Sequence, residues 1–290
     1  MKKIFFIFIF VGLTLNAFSQ DHTPTREELN GFFNTKTMVV MAPSPISHYN
    51  ATLKEAVNNN WDITDYKFIK YEEFEGMKTN PDYSFLMEDI TVFESDKTKA
   101  RYRFLSILKG EKVRRMEEMP SICAVPLSYR EVDEEFWAYK IGVIIRFMQQ
   151  HVKNMKEDSD IIDEELDYYN KNLEDIKDKT LYLIKEELAE EVNTRAEIEE
   201  YYPFPFELVS RQELEKAIKE QREDVVFLHK VGPQDSRHRA RCYKIILGAN
   251  DAKMYYFDYH TIKQGRKPDG LLKKDLRRIK TKAEGGIFIF

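Results

Sequence analysis

Lys36-Thr37-Met38-Val39-Val40-Met41, an apolar run with the composition of a buried strand, is echoed later in the chain by Lys179-Thr180-Leu181-Tyr182-Leu183-Ile184. Tyr66-Lys67-Phe68-Ile69 followed by Glu73-Phe74-Glu75 is echoed, at nearly the same interval, by Phe206-Glu207-Leu208-Val209 followed by Glu213-Leu214-Glu215. Self-similarity at a fixed spacing marks a duplicated unit, and it fixes an architecture without any catalytic motif.

Working outward from the first echo, Pro43-Ser44-Pro45 ends the opening strand. Ser47 is placed to cap a helix whose stripe runs through Leu53, Ala56 and Val57 to Trp61. A strand at Tyr66 to Ile69, a short helix at Glu72 to Lys78 and strands at Tyr83 to Met87, Tyr102 to Leu108 and Ile122 to Leu127 complete a β-α-β-α-β-β-β order. The second copy repeats it. Its strands fall at Leu181 to Ile184, Phe206 to Val209, Val225 to His229, Tyr243 to Leu247 and Met254 to Tyr259, with helices at Glu190 to Glu200 and Gln212 to Glu220. Strands alternating with helices, then consecutive strands, predict an α/β class of mixed sheets, parallel at the crossovers and antiparallel at the hairpins.

The expected organisation is therefore a first α/β repeat over 35–130 and a second over 179–262. Between them, 131–178 reads as a helical hairpin. Trp137, Ile141, Ile144, Ile145, Met148, Val152 and Met155 recur at helical spacing, and Leu166, Tyr169, Leu173 and Ile176 repeat it on an acidic arm. A basic helix and tail occupy 263–290, and a polar leader with one short helix occupies 20–34. Residues 1–19 combine Lys2 and Lys3, an apolar stretch from Ile4 to Leu15 and Ala17-Phe18-Ser19, which predicts a secretory signal peptide cleaved before Gln20. The expected location is outside the cytoplasm, periplasmic or secreted, with no transmembrane segment in the mature chain.

The 290-residue chain carries a formal net charge of −5 at pH 7, and loss of Lys2 and Lys3 makes it more negative. That balance and the export signal argue against nucleic acid as a partner. Cys123 and Cys242 are too few for a disulfide-built scaffold, and both lie in strand-like runs where an unpaired buried thiol is the simpler expectation; export leaves a disulfide open.

Within the second copy, Phe206-Glu207-Leu208-Val209-Ser210-Arg211-Gln212-Glu213-Leu214 leads through Lys216-Ala217-Ile218-Lys219-Glu220-Gln221 to Val225-Val226-Phe227-Leu228. This resembles the strand, Ser/Asp-Arg, helix, Glu-Gln, strand pattern in the α/β domain of TolB amino-terminal and curli-assembly-type envelope proteins. The first copy departs from it, with Lys70-Tyr71 where Ser-Arg would stand. The resemblance implies a non-catalytic envelope assembly or partner-binding factor, although a shared fold does not assign a function.

Two constellations can carry function. The loop after the first strand sets Ser44, Ser47 and His48 beside a helix amino terminus, where free N–H groups attract anions; they are candidates for a small-ligand site or, in the rival reading, an extracytoplasmic hydrolase. Arg237 and Arg239, with Lys273, Lys274, Arg277 and Arg278 of the final helix, form a candidate cationic patch for an envelope protein or an anionic envelope polymer or lipid. Solvated faces balanced by the acidic 157–200 region are the bland alternative. Asp158, Asp160, Asp163 and Asp167 lack the glycine and the glutamate spacing of a calcium loop. The chain also offers no zinc spacing, phosphate loop, GxSxG or dinucleotide fingerprint, so no cofactor is expected.

Overall fold

The computed structural model describes residues 23–44, 47–93, 96, 98–158, 160–234 and 239–286. β1 (Lys36–Met41) lies between β2 (Tyr66–Lys70) and β3 (Tyr83–Val92), parallel to both, and β4 (Arg101–Lys109) and β5 (Ser121–Tyr129) follow antiparallel. The first sheet runs β2-β1-β3-β4-β5. β6 (Thr180–Leu183), β7 (Phe206–Leu208), β8 (Val225–Val231), β9 (Arg241–Gly248) and β10 (Met254–Thr261) make a second five-stranded sheet in the order β7-β6-β8-β9-β10. Substituting each strand for its counterpart turns one order into the other, so both copies have the same topology.

Backbone hydrogen bonds fix the equivalence residue by residue. Lys36 N–H donates to Asp82 O at 2.9 Å and Thr37 N–H to Asp65 O at 2.8 Å. Thr180 N–H donates to Asp224 O at 2.7 Å and Leu181 N–H to Pro205 O at 3.0 Å. Tyr66 thus corresponds to Phe206, as the echo predicts, but Lys36 corresponds to Thr180 rather than Lys179. The slip has a physical reason. A one-residue shift exchanges the faces of a strand, but Met38, Val39 and Val40 are buried on both faces, so the apolar pattern carries no phase there.

α1 (Arg26–Phe32) precedes β1 and is held by a reciprocal box in which Thr25 and Glu28 bond each other's backbone N–H. Its Leu29 and Phe32 are buried against the first core, so this part of the leader is docked. α2 (His48–Asn60) and α3 (Tyr71–Met77) are the crossovers of the first unit and lie on opposite faces of its sheet. α4 (Ile141–Glu157) follows β5 and packs beside α2.

The expected helical hairpin is divided differently. After α4 comes only the short α5 (Asp160–Glu164), and Glu165–Asp178 winds as consecutive 3-10 turns. Leu173 and Ile176 are both fully buried, and a three-residue spacing fits a 3-10 turn as well as an α-helix, so the sequence pattern does not separate them. This segment packs on β10 and on α8 (Lys273–Ala283), as α1 packs on β5 and α4. α6 (Arg195–Tyr201) and α7 (Arg211–Lys219) correspond to α2 and α3, and α8 lies beside α6 as α4 lies beside α2. The bridge is therefore the last helix of one repeat and the first element of the next.

The two units meet through unlike faces. The first contributes the face covered by α2 and α4, the second the face covered by α7, and together they form one apolar core. α4 is the shared spine. Gln149 bonds Asn60 O and Asp62 N–H on the first unit, while Arg146 donates to Ala249 O at 2.7 Å and to Asn250 O, and Gln150 donates to Asp251 O, on the second. No helix among the described residues is long and apolar enough to cross a membrane.

Candidate functional site

In open α/β sheets ligands gather outside the carboxyl ends of the parallel strands. In the first unit that crevice is built by the turn from β1 into α2. Asn50 ties it, accepting Ala42 N–H through Oδ1 at 2.9 Å and donating through Nδ2 to Ala42 O and Ser44 O. Ser47 accepts Asn50 N–H at 3.2 Å, the predicted cap. Its hydroxyl faces both oxygens of Glu134 at 3.2 Å, and Tyr49 N–H donates to Glu134 at 2.8 Å. The anion attracted to this helix start is thus the protein's own Glu134 carboxylate. The side chains of Ser44 and His48 are exposed to solvent.

On the same side of β3 as this seat Glu88 pairs with Arg103, and on the opposite face Asp89 accepts hydrogen bonds from Ser106 at 2.5 Å and Thr91 at 2.9 Å. Burial raises the pKa of both carboxyls, against the opposing pull of Arg103 on Glu88 and of the two hydroxyls on Asp89.

The corresponding end of the second sheet is filled by buried ion pairs. Lys140, 1% exposed, reaches across from the first unit to Glu187 at 3.2 Å and Leu228 O at 3.4 Å. Burial disfavours its ammonium, but the Glu187 carboxylate and the Tyr139 hydroxyl outweigh that and hold its pKa above the ordinary value. Lys230 pairs with Asp269 at 2.5 Å. Lys244 donates to Asp275 and to His260 Nδ1, both at 3.0 Å. His260 Nε2–H donates to Pro268 O, and Tyr256 donates its hydroxyl proton to Asp275. The 262–272 loop lies over this network. Its Gly270 has φ +123°, and a Cβ there would stand 2.7 Å from Ala189 N, so only glycine lets the loop approach so closely.

The predicted patch separates into different environments. Arg237 lies outside the described residues, and Arg239 is exposed. Lys273 and Arg277 stack on Tyr201 at 4.4 and 4.7 Å, and Lys274 is exposed. Arg278 turns inward to Asp258 at 2.7 Å and so leaves the cationic face.

Cys123 and Cys242 are free and buried in separate core clusters. Burial pushes the Cys123 thiol up to about 12 and raises that of Cys242 as well, which favours the protonated thiol in both. Among the described residues no group of His, Cys, Asp and Glu side chains is placed to hold a metal ion. The hollows that stand out are shallow, one beside Trp61, Asp62 and Tyr66, the other beside Tyr201, Arg277 and Lys280.

Sequence reasoning missed Glu134, Lys140, Lys230, Lys244 and Asp275. The signal for the lysines was present, since an isolated lysine inside an apolar strand, as in Cys242-Tyr243-Lys244-Ile245, needs a buried counter-charge. With the fold and these sites in hand, comparison with known proteins adds no relative: no family profile, curated protein or solved structure matches the chain.

Proposed function

We propose that the chain is an exported, non-catalytic binding or assembly module of the bacterial envelope. One observation carries the reading. Both sheet-end crevices, the usual seats of chemistry in α/β folds, are occupied by the protein's own charges: Glu134 on the start of α2, and the Lys140–Glu187 and Lys230–Asp269 pairs beneath the 262–272 loop. The exterior instead presents charged and aromatic surface, which suits docking. The export pattern at residues 1–19 and the resemblance of the second repeat to envelope assembly domains support the same reading.

The test is capture. The chain from Gln20 onward, immobilised and exposed to envelope extract, should retain a saturable component that survives washing. Screened against ester, peptide, glycoside and phosphoester substrates, the same chain should show no turnover above background. Turnover that disappears in Ser47→Ala or His48→Ala would overturn the proposal in favour of a hydrolase built on the loop after β1.

A further inference from the structure

One end of the molecule gathers exposed cations. The starts of β4 and β9 lie side by side there: Thr98 donates its hydroxyl proton to Arg239 O at 2.6 Å, and Arg241 N–H donates to Tyr102 Oη at 2.5 Å. The end of β5 joins through Arg130 N–H to Arg101 O at 3.0 Å. The loop after β10 joins through Ile262 N–H to Ala240 O at 2.8 Å. These links bring exposed Arg101, Arg130, Arg239, Lys263, Arg266 and Lys267 to one pole. Among the described residues none of the six has a carboxylate at ion-pair distance, whereas the buried Lys140, Lys230 and Lys244 are all paired. Among the described residues the acids nearest in sequence are Glu131, which is exposed, and Asp96, which is half-buried.

The pole also carries apolar surface that the fold does not cover. Tyr259 is 47% exposed, and Val92 at the first hairpin tip is 38% exposed, although large apolar side chains elsewhere are mostly buried. Exposed aromatic and aliphatic groups ringed by arginine and lysine suit a flat anionic partner into which they can dip.

We propose that this pole, rather than the α8 face, docks the chain on anionic phospholipid bilayers. The idea deepens the binding-module reading and rests on it, but it is read separately, because lipid retention of the purified chain can fail while capture of an envelope component succeeds. Each basic side chain near such a surface multiplies affinity by about fivefold.

The experiment is flotation with phosphatidylcholine vesicles and with vesicles of equal phosphatidylcholine and phosphatidylglycerol. The expected result is retention on the anionic vesicles only, weakening as salt rises. Arg266→Gln with Lys267→Gln should lower affinity by about twenty-five-fold, the product of two such factors, with an unchanged thermal melt. Lys273→Gln with Lys274→Gln should leave retention intact. Tyr259→Ser should weaken binding at constant charge. Equal retention on neutral vesicles, no retention on anionic ones, indifference to the Arg266 and Lys267 pair, or binding to soluble polyglutamate without vesicle binding would each overturn the proposal.

Discussion

His229 sits in the seam between the two units and makes the fold sensitive to acid. Its side chain is 0% exposed, Nε2–H donates to Pro126 O of β5 at 2.8 Å, and Nδ1 has no partner. Burial, with the nearby Lys140 ammonium adding to it, lowers its pKa to about 3. Below about pH 6.5 the unfolded chain takes up a proton that the folded chain refuses, so the stability due to neutral His229 is complete above that value and is lost as pH falls toward 3. At about 1.4 kcal/mol per pH unit, the loss between pH 6.5 and pH 4 is about 3 kcal/mol, a large share of the marginal stability of an ordinary domain. The perturbation is His229→Gln, which keeps an N–H donor for Pro126 but cannot titrate. Urea unfolding followed by fluorescence of Trp61 and Trp137 at both pH values gives the difference between the two proteins. Their other titrating groups, His151 included, cancel in it. The gap should narrow or reverse by about 3 kcal/mol on acidification; an unchanged gap would refute the argument.

Three further outcomes follow from the packing. Phe32→Ala should cost about 3–5 kcal/mol in chemical unfolding because α1 is docked in the core, and a cost below about 1 kcal/mol would mean that it is not. Lys140→Ala should cost about 3–5 kcal/mol by stranding Glu187, and Lys140→Met combined with Glu187→Leu should recover most of that; additive losses would show that the pair is not coupled. In native conditions neither Cys123 nor Cys242 should be alkylated by iodoacetamide, and both should react in denaturant; fast native labelling of either would contradict its burial.

The succession of elements was legible because each crossover leaves a strand–turn–helix signature, and Phe206 to Val209 aligns with Tyr66 to Ile69 in the true register; the order of strands within each sheet was not read from the sequence. What escaped depends on three dimensions. The phase of β1 against β6 is hidden by burial on both faces. The 3-10 winding of Glu165–Asp178 shares its three-residue spacing with an α-helix. Glu134 meets Ser47 only because the segment before α4 folds back onto α2, a contact with no local sequence mark. The basic residues of α8 were visible as a run, but helical geometry turns Arg278 inward while Lys274 stays outside.

The unlike faces joined in the core carry one more consequence. A head-to-tail contact between equivalent modules leaves a bonding face free at each end, and unless its rotation closes a ring it adds copies as an open-ended polymer. The first module stops this at its free side: where the second has only the tight Ala249–Lys253 turn between its last two strands, the first has the longer 110–120 excursion, whose Val113, Met116 and Met119 lie over Phe74 and Phe85 on the very surface a further copy would need. The duplicated chain thus covers with its own residues the face on which its first unit would receive another copy.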